Sequence, residues 1–226
     1  KRFGEPMADF KLSEVYSLIH KLQPQALIGS NHHLAPNPGE DFQMFEKDLP
    51  GRSTKSFATS ADDIGNLPLE VCETINGSWG FNLKDRKHKS KKELVQYLIK
   101  AAGYDSNLLL NVGPMPNGKI QEEHIKSLKE IGDWIKVNGE TIYGTIRGPI
   151  DPTDEIASTQ KDNTIYIHLL DNRKTYFIEG YNPKIKKISY YHSNKKVKYQ
   201  KTKSGLIINV DDNELDEIDT IIELEI

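Results

Sequence analysis

The sequence predicts two textures in series: an α/β segment over residues 1–150 and an all-β segment over 151–226. Three observations predict this. Apolar residues recur at helical spacing before residue 150, and two of those runs are followed by a short apolar strand. After about residue 150 the helical period disappears and short β-branched and aromatic runs follow one another between turns. Between the two lies Asp151-Pro152-Thr153-Asp154, a cluster of turn-forming residues.

The elements can be justified in order. Phe10, Val15, Leu18, Ile19 and Leu22 share one helical face over 9–22, and Pro24 stops that helix. Ala26 to Ser30 reads as a strand, and residues 31–66 as a long irregular loop rich in Gly, Pro, His and Asp. A loop of that length inside a domain is commonly functional. Ser90, with Glu93 three positions on, forms a capping-box signature for a helix over 90–102, and Gly103 reads as its stop. Asn107 to Val112 is a buried-type strand ended by Gly113-Pro114. A third helix over 121–138 places Ile125, Leu128, Ile131, Trp134 and Ile135 on one face. Strands are expected at 164–170, 175–178, 185–191, 196–200, 206–210 and 220–226.

The chain has 226 residues, 36% hydrophobic and 28% charged, with a net charge of -3. That balance provides no general field for nucleic acid or an anionic membrane. No apolar run approaches the roughly 20 residues that span a bilayer. A single cysteine, Cys72, excludes an internal disulfide and a multi-cysteine zinc site. Cys72 sits in an alternating apolar stretch and reads as a small packed residue. From Lys184 to Lys203 there are eight lysines interleaved with Tyr190, Tyr191 and Tyr199, and eight acidic residues follow from Asp211 to Glu225. These read as solvated faces of paired strands, with lysines protecting sheet edges. A tyrosine row on the sandwich would instead mark a non-catalytic carbohydrate-binding protein.

Candidate chemistry concentrates in the long loop. Asn31-His32-His33 follows the first strand, where α/β proteins place their sites. Glu40, Asp41 and Glu46 come next in Gly39-Glu-Asp-Phe-Gln-Met-Phe-Glu-Lys-Asp-Leu-Pro-Gly51. Amides and imidazoles hydrogen-bond sugar hydroxyls, and carboxylates transfer protons. The same residues also suit an ordinary polar loop. A metal shared by both histidines is disfavoured, because neighbours in an extended segment point opposite ways. Taken alone, Trp79 reads as a core aromatic or as a platform for a sugar face. Asn107 to Ile120 reads as purely architectural.

Four strings together, NHH…GEDFQMFEKDLPG, LEVCETINGSWGF, NLLLNVGPMPNGKI and NGETIYGTIRGP, closely resemble family 29 glycoside hydrolases, the α-L-fucosidases. The resemblance runs from about Ala8 to Pro149. It implies the C-terminal part of a (β/α)8-like TIM barrel followed by a C-terminal β-sandwich. It implies retaining exo-hydrolysis of terminal α-L-fucosides in a fucosylated oligosaccharide or glycoconjugate. Cofactors and metals are not implied, nor are nucleic acid or a membrane span; a homo-oligomer is left open. It implies Glu40 as acid/base by its spacing to Leu49-Pro50, with Glu46 as runner-up, and Asn31, His32 and His33 as hydroxyl ligands. Trp79 falls on the aromatic that packs on fucose. The family nucleophile sits in a Trp-Phe-Asp-Gly-type strand, and no such string occurs here. The chain opens at Lys1 and is therefore expected to be a fragment that is inactive alone. The substrate class suggests a periplasmic, secreted or lysosome-like setting.

Overall fold

The first expected helix forms as α1 (Leu12–Leu22), with Tyr16 its one buried residue. The structure is a computed structural model describing residues 10–32, 35–52 and 64–226. The chain divides into two units, one up to Val71 and one from Cys72 to Ile226. It is a mixed α/β protein composed mostly of sheet.

In the first unit, α1 turns its predicted apolar face outward: Leu18 is 54% exposed and Leu22 70%. The expected strand at 26–30 is shorter than the sequence suggests, since β1 covers only Gly29–Ser30. The loop at 31–66 is not wholly irregular, because Phe42–Glu46 forms β2, parallel to β1 with Gly29 opposite Phe42. Gln43 and Phe45 point inward on β2. A buried glutamine breaks the apolar alternation that would have announced the strand. Its Oε1 accepts from the Gly65 amide at 2.7 Å, which satisfies it. Gly29 has to be glycine, because a Cβ there would lie 2.3 Å from the Phe42 ring. Strand β3 (Leu69–Thr74) begins in this unit, next to β2 in strand order.

In the second unit, the end of β3 neighbours β4 (Ser106–Asn111). Between them lies α2 (Lys91–Gly103), whose capping box forms as expected from Ser90 and Glu93. Its stop differs: the left-handed residue that turns the chain is Asp105 at φ 58°, not Gly103. The third helix is α3 (Glu122–Asn138), which buries Ile131 and Trp134 and leaves Ile125 and Leu128 partly exposed.

Two strands the sequence did not announce come next, β5 (Ile146–Arg147) and β6 (Ile156–Lys161). The six expected ones follow as β7 (Thr164–Leu169), β8 (Thr175–Glu179), β9 (Lys187–Tyr190), β10 (Lys198–Lys201), β11 (Gly205–Asn209) and β12 (Thr220–Glu225). They form a five-stranded sheet, β5-β6-β7-β12-β9, and a three-stranded sheet, β10-β11-β8. Ile165, Ile167, Leu169, Ile222 and Leu224 from the first sheet share a core with Tyr176, Ile178, Leu206 and Ile208 from the second. This is a β-sandwich.

The other face of the five-stranded sheet is also covered. Ala157, Tyr166, Leu170 and Ile221 pack with Leu94, Val95 and Ile99 of α2 and Ile131 and Trp134 of α3. Strand β7 is therefore buried on both faces, which explains its nearly unbroken apolar run. A polar tie reinforces the seam. Gln96 Nε2 of α2 donates to the carbonyls of Leu170 (2.5 Å) and Ile218 (2.7 Å). Ser158 Oγ accepts from the Ile150 amide at 2.8 Å and donates to the Ile150 carbonyl at 2.9 Å, so the Pro-rich junction is fixed to β6. Gln96→Ala leaves both carbonyls unpaired in a half-buried seam. The expected loss is about 1–3 kcal/mol of unfolding free energy, read by urea denaturation, with helix and sandwich probes melting together.

Candidate active site

In the first unit, β1 ends at Ser30 opposite Gln43, and the parallel β2 runs three residues further. Asn31 follows β1, and Glu46 is the last residue of β2. Asn31 Nδ2 donates to Glu46 Oε2 at 2.7 Å. An amide and a carboxylate thus meet beyond the C-terminal ends of parallel strands, the position at which α/β sheets and barrels carry their chemistry.

Glu40 lies in a different setting. Its side chain is only 1% exposed. Oε1 accepts from Tyr16 Oη (3.0 Å) and Asn37 Nδ2 (3.0 Å), and Oε2 from the Asn37 amide (2.9 Å). His32 Nε2 stands 3.1 Å from both oxygens. Burial pushes this carboxyl up. The hydrogen bonds from Asn37, His32 and Tyr16 outweigh burial and hold it below the ordinary glutamate value. A general acid needs the opposite shift and a free approach to the leaving oxygen.

The neighbouring Asp41 performs a similar task at the strand entry. Its Oδ2 accepts from the Ile28 amide at 2.7 Å and lies 2.9 Å from His20 Nε2, tying α1 to β1 and β2. The Ile28 amide and then His20 hold Asp41 below its usual range. The structure therefore brings the sequence candidates together in two pairs, Asn31 with Glu46 and His32 with Glu40. His33 lies outside the described residues. Tyr16 and Asn37 are not singled out by the sequence, because Tyr16 lies off the apolar row of α1 and its burial is visible only in the structure.

In the second unit, Trp79 is 36% exposed. It is a surface aromatic, so the core-aromatic option does not hold. Two features of the Asn-Val-Gly-Pro segment hold its loop. Asn111 Nδ2 donates to the Trp79 carbonyl at 2.7 Å. Gly113 lies so close that a Cβ would meet Gly80 C and Phe81 N at 2.6 Å. Asp85 fixes the other flank through the Ser78 hydroxyl and the amides of Gly77, Ser78 and Lys87, and these hydrogen bonds hold its carboxyl low. The Asn111–Gly113 motif that reads as architecture in sequence is therefore the seat of the tryptophan loop. Cys72 is buried, as its pattern suggests.

Other constellations carry no chemistry. Thr159, His168 and Asp219 mimic a nucleophile triad, with His168 Nδ1 2.8 Å from Asp219 Oδ2 and Nε2 3.5 Å from Thr159 Oγ1. All three are buried, and Thr159 Oγ1 donates to the Thr141 carbonyl at 2.6 Å, so no substrate reaches them. The tyrosine row that would mark a carbohydrate-binding protein does not form: Tyr190 lies in the sandwich core and Tyr191 packs edge-on against Tyr166, leaving Tyr199 as the exposed one of the three. Among the described residues, no group of three His, Cys, Asp or Glu is placed to hold a metal ion. No helix among them is long and apolar enough to cross a membrane.

Comparison with known proteins shows similarity to glycoside hydrolases. A family profile described as Alpha-L-fucosidase matches residues 5–140. The chain belongs to the α-L-fucosidase family. It is 32% identical to an alpha-L-fucosidase of Branchiostoma floridae over 193 residues, 72% of this chain and 43% of that protein. It is 30% identical to the human plasma alpha-L-fucosidase over 161 residues, 59% of this chain and 34% of that one. The solved structure of alpha-L-fucosidase isoenzyme 1 from Paenibacillus thiaminolyticus superposes with a TM-score of 0.76 at 30% identity, covering 95% of this chain and 53% of that one. The chain thus spans about a third of the length of the plasma fucosidases it matches, and about half of the bacterial structure.

The Glu40 arrangement has a pH signature. Its folded pKa lies below its unfolded one, so its stabilisation is present above the ordinary carboxylate range and is lost as pH falls through the folded value. Glu40→Gln is expected to cost on the order of 2–3 kcal/mol near neutrality. The gap to wild type should narrow as pH drops from 7 to 3, as read by thermal melts across that range.

Proposed function

We propose that this chain supplies the acid/base part of a retaining exo-α-L-fucosidase acting on terminal α-L-fucosyl units of oligosaccharides or glycoconjugates. The observation that carries the reading is the Asn31–Glu46 pair at the C-terminal ends of adjacent parallel strands. Family membership supplies the reaction. Residues 1–150 are assigned to the C-terminal portion of a (β/α)8-like barrel and 151–226 to the sandwich domain. The apolar row on α1 supports that assignment, because in a closed barrel a helix of this kind is covered by its neighbour.

In the first step, a carboxylate nucleophile attacks the anomeric carbon while the leaving oxygen takes the proton of Glu46. In the second, Glu46 removes a proton from water as that water attacks the same carbon and releases the nucleophile. No strand of the family's nucleophile type occurs in these 226 residues. No residue of this chain is therefore assigned as the nucleophile. Asn31 orients Glu46. In the second unit, taken by itself, the exposed Trp79 ring is suited to the apolar side of a sugar. Of the two carboxylates the resemblance nominates, Glu46 is preferred. Both oxygens of Glu40 are already occupied by protein donors, and its pKa is displaced the wrong way for an acid. His32 belongs with Glu40, as a support for the loop. The substrate class fits an exported protein.

The test uses the full-length protein that contains this chain. Glu46→Gln is expected to lower kcat on 4-nitrophenyl α-L-fucoside by about 10²–10⁴-fold, with recovery by azide on an activated substrate. Glu40→Gln should lower Tm and leave kcat within about tenfold of wild type. Azide rescue of Glu40→Gln, with Glu46→Gln active, would reverse the assignment. Absence of fucoside hydrolysis by the intact protein would remove the reading altogether.

A further inference from the structure

In the second unit, a cavity of about 270 Å³ opens beside the edge strand β9. Lys186, Lys187, Ser189, Asn194, Lys196 and Tyr199 line it. Lys186 Nζ donates to the Ile226 carbonyl at 2.8 Å. Among the described residues, Lys187 and Lys196 have no ion pair, whereas the neighbouring Lys195 is held by Glu214 at 2.6 Å. Register places Glu225 opposite Lys187 and Glu223 opposite Ser189, yet neither carboxylate closes on a lysine of the pocket.

The second observation is Ser189. It is 2% exposed, and its hydroxyl has no hydrogen-bond partner. A buried hydroxyl left unpaired is costly and uncommon in native structures. The residue lines the cavity, and the two ammonium groups without an ion pair stand at the cavity margin. Tyr199 adds a partly exposed ring on the β10 side. An aromatic face, a hydroxyl and an amide make a wall for a pyranose, and two lysines add a preference for an anion. The volume is at the small end of ligand pockets, which run from about 300 to 1,000 Å³, so it suits one ring and its substituent.

We propose that this pocket is a second carbohydrate site, taking a single sugar unit that bears a sulfate or carboxylate group. Lys187 and Lys196 bind the anion, Ser189 donates to it, and Tyr199 packs on the ring. Such a site holds an acidic glycan on the sandwich domain without taking part in hydrolysis. The saccharide component rests on the fucosidase reading; the anion component rests on the lysines and Ser189 alone.

The experiment is calorimetric titration of the 226-residue chain with L-fucose 4-sulfate, N-acetylneuraminic acid, neutral L-fucose and inorganic sulfate. At least one charged sugar is expected to bind tenfold or more tightly than both neutral fucose and inorganic sulfate. The sulfate and carboxylate arms show which anion is taken. Lys187→Gln/Lys196→Gln should weaken that binding at least tenfold, with an unchanged circular dichroism melt because both side chains are exposed. Tyr199→Ala should remove the advantage of the sugar over inorganic sulfate. Equal binding of inorganic sulfate and both charged sugars, or unchanged affinity in the double variant, would overturn the proposal. Turnover is not measured, so a binding chain from an inactive parent would count against the fucosidase reading alone.

Discussion

The first unit depends on how the buried Glu40 carboxylate is satisfied. Glu40 is buried in a loop that is otherwise largely polar, and an unpaired carboxylate there would be prohibitive. Tyr16, His32 and Asn37 solve this together, and in doing so they fix three separate stretches of chain. Tyr16 anchors α1, His32 holds the exit of β1, and Asn37 closes the turn that leads into β2. With Asp41 bound to the Ile28 amide and to His20, that network aligns two strands that share only two residue pairs. The Asn31–Glu46 contact then follows from strand alignment. One carboxylate gives the loop its shape, and the other stands beside Asn31 at the strand end.

The second unit is organised by a sheet buried on both faces. One side of the five-stranded sheet meets the three-stranded sheet, and the other meets α2 and α3. Helices α2 and α3, which lie between the strings that resemble the fucosidases, therefore share a core with the β-rich tail, joined by Gln96 and by the Ser158 clasp on Ile150. In sequence the texture changes at about residue 150. In space, packing is continuous from Cys72 to Ile226. That continuity gives the Trp79 loop a rigid foundation, because Asn111 and Gly113, which hold it, sit at the end of β4 directly after α2.

Much of the fold was legible because local chemistry and tertiary demand agreed. The Ser90–Glu93 box, the α3 period and the six strand runs of the tail are each specified by residues close in sequence. Strand β2 was hidden because Gln43 takes an inward position and Gly, Pro and His surround it. Strand β6 was hidden because its inward residues are Ala157, Ser158 and Thr159, which carry little hydrophobic signal. The candidate site was legible as a set of residues and not as a set of roles. Glu40 and Glu46 differ by burial and by hydrogen-bond partners drawn from α1 and β1, and neither is visible in their spacing to Leu49-Pro50. The same limit applies to Trp79, whose exposure is fixed by Asn111, distant in sequence.

The central claim is that Glu40 is a structural anion and that the reactive carboxylate lies elsewhere. Carboxyl carbon NMR of the glutamate-labelled chain tests it directly, with the Glu40 resonance assigned by its loss in Glu40→Gln. The account requires Glu40 to titrate below the ordinary glutamate value, because Asn37, His32 and Tyr16 favour its charged form. A Glu40 carboxyl that titrated well above that value, in the range of a general acid, would contradict it.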